Sequence, residues 1–512
     1  MIIKSKIVRD TVLLTAMQLF LDTAALLLNV FMTRRLGTPA MGVIALTGTF
    51  FGLAGMISNG NAYLCTSRLI SEELGKPSSA PEKVLSHGIR LCLMLSIGTS
   101  AVIAGLADVF SRRIFGGAVP AGCIRLMPAA LIPGALAACL KGYFNACRRS
   151  PVTAAGDILE FLVRCAAVAF MVVRAGEAGS GTVCAIMMTG MIAGSSASLI
   201  YFSLMYMKLR GRSGGECSLS FRRYAGFALP IMGGGILTAV LSSANDALIP
   251  VCLRQYGDSA GRALSLFGVF EAIVIPALFF PSVILCSMSG LIVSETARAA
   301  AGGDRRRIKE LSGRLTEWTL MYAVFSAAVL MRYGGIIGEM LGGGELAGRM
   351  IPAIAPVVPF IYMEIILEAM IKGMGYQGFS SMNYLAEYAV RISVVLVAVP
   401  RLGFWGIAAS YYASNVLGNC SRCAKLIRSA GMPFRPVRTV GVPVVYAFMT
   451  MKAAELLVRA VSGGTEGLPQ AAAVTLLWGS GYLAVFLFLG RLRPFGMKKP
   501  LSFGKNAQQI IG

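Results

Sequence analysis

Three carboxylates lie inside long apolar runs of this chain with no cation three or four residues away: Asp22, Asp246 and Glu271. A charge surrounded by hydrocarbon is costly, so such a residue needs a partner and usually a role. The chemistry open to it is binding: a proton, a cation, or the polar part of a cargo. The amides Asn29, Asn61 and Asn245 occupy neighbouring positions in the same kind of run. Gln18 and Asp22 share a helical face, and Asn29 lies on nearly the same face seven residues beyond Asp22. Glu364 and Glu368 stand one helical turn apart and would repel, so one of them is protonated or binds a cation. These groups line a polar cavity between two halves of the chain, formed largely by spans 1, 2, 7 and 8, or they hold helices together as interhelical hydrogen bonds. The first reading is favoured for Asp22, Asp246 and Glu271; Glu364 and Glu368 are left open.

A second pattern is doubled. Glu160 and Arg164 sit in ILEFLVRCAAVAFMVV, and Glu387 and Arg391 sit in YLAEYAVRISVVLVAV, 227 residues further on. An acid and a base four residues apart share a helical face and neutralise each other. Both are read as structural intramembrane pairs. The offset continues elsewhere: Ser67 with Ser294 and Gly75 with Gly302 at 227, Gly37 with Gly257 at 220, Lys141 with Lys372 at 231. A chain built from two related halves is a common transporter architecture.

The elements that carry these residues must be membrane helices. The 512 residues are 56% hydrophobic and only 14% charged, where a soluble protein would have about a quarter charged. Mean hydropathy is +0.71. The apolar runs suit helices rather than barrel strands, which would alternate polar and apolar. Fourteen spans are predicted: 11–33, 41–64, 88–110, 121–146, 153–174, 182–207, 225–252, 264–293, 314–334, 350–373, 380–400, 402–426, 437–460 and 469–490. Spans 1–6 match spans 7–12 in order. An even number of spans per half makes the repeat parallel. The expected fold is all-α and polytopic, with two parallel six-helix lobes plus two C-terminal helices. The predicted divisions are 1–224, 225–428, and 429–512 for spans 13 and 14 with a basic tail.

The net charge of +23 does not mark a nucleic-acid binder. Placing the N-terminus in the cytoplasm puts 31 of the 47 basic residues on the cytoplasmic side and 11 outside. That bias fits the positive-inside rule, with both termini cytoplasmic. Arg422 is counted there with the basic residues that follow span 12.

Enzyme signatures are missing: no Gly-rich phosphate loop, no HExxH, and a single histidine, His87. Cys420 and Cys423 form a CxxC without a second pair, so no metal site is predicted, nor any cofactor. The twelve cysteines fall mostly in apolar runs, where free thiols pack as small hydrophobes. Span 7 reads FALPIMGGGILTAV. Its proline and three glycines make it the hinge candidate.

Several segments carry a family likeness: RRLGTPAMGVIAL, LKGYFNA, SSANDALIPVCLRQYG, ALSLFGVFEAIVIPALFFPSVI and IKGMGYQ. In order and spacing they resemble the multidrug/oligosaccharidyl-lipid/polysaccharide (MOP) exporter superfamily, and within it the stage V sporulation protein B and polysaccharide-flippase branch. The resemblance implies two lobes around a cavity that opens to alternate sides of a bacterial cell membrane. It implies a flippase for a lipid-linked oligosaccharide or peptidoglycan precursor, undecaprenyl-based, serving cell-wall or spore-cortex synthesis. The lipid tail would ride in a groove beside spans 13 and 14. Lipid II flippases of the superfamily carry several arginines in spans 1 and 2, where this chain has Asp22 and no internal arginine. A cargo pyrophosphate would meet Arg254 or arginines of other spans instead. The alternatives are a cation-coupled drug or metabolite exporter, with a coupling proton or cation on Asp22, Asp246 or Glu271, and a non-transporting scaffold for polysaccharide synthesis. In each case membrane lipids are partners and nucleic acid is not.

Overall fold

A computed structural model of the chain describes residues 2–74, 80–147, 149–174, 179–209, 220–433, 437–462 and 468–491. Gly75, Lys76, Arg148, Arg210, Arg212, Arg435 and the basic tail after residue 491 lie outside the described residues. The described chain is helical, with no strand. Long helices stand at all fourteen expected positions. In chain order they are α1 (Ile2–Leu36), α2 (Thr38–Leu74), α3 (Pro81–Gly105), α4 (Ala121–Ala146), α5 (Ser150–Arg174), α6 (Ser180–Leu209) and α7 (Phe221–Tyr256). There follow α8 (Ala260–Ala301), α9 (Arg305–Met340), α10 (Gly344–Gly373), α11 (Gln377–Leu402), α12 (Phe404–Ala430), α13 (Val442–Ser462) and α14 (Leu468–Arg491).

Ten of the described helices are long and apolar enough to cross a membrane by length and composition. Three of the others, α5, α11 and α12, carry Asp157, Glu160 and Arg164, then Glu387 and Arg391, then Arg422 and Lys425. These charges lower their hydropathy, and they are tolerated only where a neighbouring helix answers them.

Packing repeats between the halves. α1 packs on α5 as α7 packs on α11, and α2 packs on α4 as α8 packs on α10. Likewise α3 meets α4 as α9 meets α10, and α5–α6 mirrors α11–α12. α13 and α14 pair with each other and lean on α9.

The halves meet where α2 crosses α8. A Cβ added to Gly268 would lie 2.7 Å from the carbonyl oxygen of Thr38 and would also strike the backbone of Gly42. Beside this crossing the Thr38 hydroxyl donates to Ser265 at 3.2 Å, a pair 227 residues apart. Backbone-to-backbone approach of this kind is what small residues permit in membranes. Gly268→Val is therefore expected to push the halves apart and to cost about 1–3 kcal/mol, read as a lower thermal midpoint of the purified protein; an unchanged midpoint would contradict the crossing.

Span 7 does not break at its glycines. α7 runs unbroken from Phe221 to Tyr256, because glycines weaken a helix without interrupting its hydrogen bonds. The break lies opposite, in α2. There Gly60 and Asn61 both take positive φ, 57° and 55°. A Cβ on Gly60 would collide with Met232 of α7 at 2.6 Å. Gly235 of α7 faces Met56 and the Asn61 amide across the same contact. Asn61 thus shapes a kink against α7.

Candidate functional site

The cavity that collects three of the predicted polar residues, Asn245, Asp246 and Glu271, is lined by the second half and does not lie between the halves. It holds about 180 Å³. Its charged and polar walls are Asn245 and Asp246 from α7, Glu271 from α8, Arg391 from α11, and Tyr411 and Asn415 from α12.

Local backbone chemistry aims these groups. Glu271 sits in a widened helical turn, Phe270–Val274, that directly precedes Pro276. Proline has no N–H, so the carbonyl four residues back, Ala272, loses its helical donor. Asn29 of α1 supplies the replacement, its Nδ2 donating to the Ala272 oxygen at 3.1 Å. Asn29 therefore serves the site by holding the turn that presents Glu271. Wide turns of this sort recur at functional positions in helices.

Asp246 accepts two hydrogen bonds, from Asn245 Nδ2 at 3.0 Å and from the Thr49 hydroxyl at 3.1 Å. Thr49 belongs to α2, and the Ser243 hydroxyl donates to its carbonyl oxygen at 3.3 Å. The cavity is thereby tied to the first half at Thr49 as well as at Asn29. Asn245 is 2% exposed and its Oδ1 has no partner among the described residues.

Arg391 is the cation of this cavity. Its Nε donates to Ser414 at 3.0 Å, and its guanidinium lies 4.4 Å from the Tyr411 ring centre and 5.4 Å from that of Tyr388. It interacts electrostatically with both Asp246 and Glu271. Glu271 forms no hydrogen bond with a described residue. Two carboxylates against one guanidinium leave one negative charge uncompensated when all are ionised. A cavity of that kind takes up a proton or a cation, or exchanges partners with an anionic cargo on the arginine.

This corrects the expected Glu387–Arg391 pair. Glu160 and Arg164 do pair within α5. Glu387 turns instead to Arg422 of α12, whose Nη1 lies 2.6 Å from its Oε1. Gly418 makes room, since a Cβ there would overlap the Glu387 carboxylate. Arg422 is wholly buried and also meets Glu368 at 3.2 Å and Glu364 at 3.3 Å. Lys372 at 3.2 Å and the Ser380 hydroxyl complete Glu368, and Asn383 donates to Glu387 at 2.7 Å. Glu364 and Glu368 are thus knit into a buried network rather than aimed at the cavity.

Arg422, which the sequence places with the cytoplasmic basic residues, stands wholly buried at the centre of a cluster with three glutamates. Glu364, Glu368 and Glu387 exceed the two cations placed among them on α10 and α11, Lys372 and Arg391, and Arg422 of α12 adds the third.

Two other expected residues stand apart. Asp22 accepts from Gln18 at 2.9 Å on α1 and neighbours Cys286 of α8. Arg254, at the far end of α7, lines a separate pocket of about 260 Å³ beside Gly116 and Gly117. Cys420 and Cys423 line an apolar groove of about 700 Å³, walled by α9, α10, α12 and α13 and closed by Trp478 of α14.

Known proteins resemble this chain in sequence or in fold. Residues 7–292 match the model of a family described as "Polysaccharide biosynthesis protein". Stage V sporulation protein B of Bacillus subtilis (strain 168) is 20% identical over 428 residues, 81% of this chain and 82% of that protein. Sporulation protein YkvU of the same organism is 19% identical over 423 residues, covering 81% and 93%. Among solved structures, the lipid II flippase MurJ in an inward closed conformation superposes with a TM-score of 0.66 at 12% identity, over 94% of this chain and all of that one. An inward-facing MATE multidrug transporter of the MOP superfamily gives 0.59 at 12% identity, over 80% of this chain and 94% of its own. With more than half of its length inside the family match, and with a MOP-type fold, the chain belongs to the polysaccharide biosynthesis protein family of multi-pass membrane proteins.

Proposed function

We propose that this protein is a flippase that moves a lipid-linked saccharide across a bacterial cell membrane by alternating access. The observation that carries the reading is the pairing of a charged cavity with the apolar groove. The groove is long, almost wholly apolar, and lies where α13 and α14 add to the second half. A soluble cargo has no use for such a surface, whereas a polyprenyl chain needs one. The MATE superposition spans 80% of this chain and the MurJ superposition 94%, so the flippase-type structure accounts for more of it. The cargo we favour is an undecaprenyl-linked oligosaccharide or peptidoglycan precursor.

The closed crossing of α2 and α8 lies at their Thr38 and Ser265 ends. With the N-terminus in the cytoplasm this is the outer side. We take the lobes as 1–224 and 225–428, with 429–512 as the appended pair and tail.

The test is complementation in a strain depleted of its own flippase, with outer-leaflet lipid II measured by an impermeant reagent. Accessible lipid II is expected to rise on expression. No rise, together with gained dye efflux, would favour the cation-coupled exporter, whose support is the uncompensated charge of Asp246 and Glu271. A second variant separates the readings. Ala328→Trp places an indole in the groove and is expected to cut flipping about tenfold, the equivalent of ~1.4 kcal/mol, while leaving any dye efflux unchanged. Equal loss of both activities would mean that the groove holds no cargo tail.

A further inference from the structure

At the Ala430 end of α12 the surface carries a pocket of about 420 Å³ that the transport site does not use. Phe379 of α11 forms one wall, and Ser421, Ala424, Lys425, Arg428 and Ser429 of α12 form the rest. Among the described residues neither Lys425 nor Arg428 makes an ion pair. That sets them apart from the basic residues at the junction of α8 and α9, where Arg298 and Arg307 reach Glu295 and Arg306 reaches Glu310.

Cations in a last helical turn often do no more than offset the helix dipole. Lys425 is placed differently. Its ammonium lies over the Tyr376 ring, 3.9 Å from the centre, with the Phe379 ring at 5.6 Å. Aromatic contacts hold it at the pocket, away from the terminal carbonyls, and leave its donors free. The Ser429 hydroxyl is occupied by the Lys425 carbonyl at 2.7 Å. The Ser421 hydroxyl has no partner among the described residues, so it remains as a neutral donor beside the two cations.

The wall above the pocket says what kind of anion fits. Leu417, Ser421, Ala424 and Arg428 fall at spacings of four, three and four, one face of α12. Leu417 is 45% exposed, flanked by Val416, and Ile427 is exposed beside Arg428. On α11 Met382, 66% exposed, stands one turn from Phe379. An exposed apolar track therefore runs down the helix pair and ends at a hydroxyl and two cations that form no ion pair among the described residues. This is the layout of an acyl chain above and a phosphate below, at the depth where basic side chains meet lipid headgroups.

We propose that this crevice binds the phosphate of an anionic membrane phospholipid, with Lys425 and Arg428 as charge partners and Ser421 as a hydrogen-bond donor. The site is distinct from the transport cavity and holds whether or not the flippase reading does. A soluble phosphate has no need of the apolar track, which is why the lipid is the occupant.

The experiment uses the full-length protein in detergent, with bound lipid counted by native mass spectrometry. The probes are dioleoyl phosphatidylglycerol, dioleoyl phosphatidylcholine and inorganic phosphate. Wild type is expected to retain phosphatidylglycerol at concentrations that leave phosphatidylcholine unbound. Lys425→Gln combined with Arg428→Gln should weaken phosphatidylglycerol about tenfold without lowering the lipid-free melting temperature. Ala424→Trp, which keeps both charges but fills the crevice, should weaken it too and guards against a folding defect in the double variant. Phosphatidylglycerol binding that is unchanged in both variants overturns the proposal. So does a double variant that loses inorganic phosphate while keeping phosphatidylglycerol, since the pocket would then serve a soluble anion.

Discussion

Arg422→Met is expected to destabilise the protein by about 3–5 kcal/mol, the usual cost of removing one partner from a buried ion cluster. The side chain is wholly buried and contacts three glutamates on two helices. Methionine fills similar space, so lost volume contributes little. What remains is Glu364, Glu368 and Glu387 around an apolar group; among the described residues Lys372 pairs with Glu368, and Arg391 acts on Glu387 without an ion pair. Each carboxylate must then take a proton or recruit water into the contact between α10, α11 and α12. Thermal or denaturant unfolding of the purified protein reads the loss. A companion variant isolates the electrostatic cause. If Glu364, Glu368 and Glu387 are changed to Gln together with Arg422→Met, no charge is left uncompensated except Lys372, and most of the stability should return. If the fourfold variant is no more stable than Arg422→Met, the network is not what holds these helices.

This cluster also shows what the sequence conceals. The fourteen helices were legible because each is a run of apolar side chains, and the doubling was legible because charged residues inside such runs are rare enough for a fixed offset to stand out. The choice of partner was not legible. Glu160–Arg164 and Glu387–Arg391 present the same spacing, so helical geometry alone permits the same i, i+4 pair in both. The difference comes from the helix packed alongside. In the first half, 227 residues before Arg422 stands Ser195, which offers no charge, and Glu160 keeps its own arginine. In the second half Arg422 reaches over the bare backbone at Gly418 and takes Glu387. Arg391 is released to the cavity as a result. Asp246 and Glu271 were recognisable as unpaired acids of neighbouring spans and do come together. Asp22 carried the same signal but faces a different neighbourhood, because a one-dimensional pattern does not say toward which helix a side chain turns. The kink of α2 was not legible for a related reason: Gly233–Gly235 leaves α7 helical, while the left-handed pair Gly60–Asn61, which carries no such glycine run, interrupts α2.

The release of Arg391 gives the second large effect. Arg391→Gln removes the cation that faces Asp246 and Glu271 while keeping a hydrogen-bonding group near Ser414. The cavity then contains two carboxylates and no positive charge. An anionic cargo headgroup would meet only like charge, and transport of lipid-linked saccharide is expected to fall at least about tenfold, since weakening a contact by ~1.4 kcal/mol already has that effect. Arg391→Lys restores charge without the flat guanidinium that stacks on Tyr411 and reaches Ser414, so recovery should be partial. The decisive comparison is the double change Arg391→Gln with Asp246→Asn. If the arginine serves only to neutralise Asp246, the double variant regains folding and transport together. If the arginine contacts the cargo, stability returns and transport does not. Outer-leaflet lipid II accessibility and the unfolding midpoint, measured on the same four proteins, distinguish the two. Full transport by Arg391→Gln alone would remove the cavity from the mechanism and leave the groove beside α13 and α14 as the sole cargo contact that the fold supports.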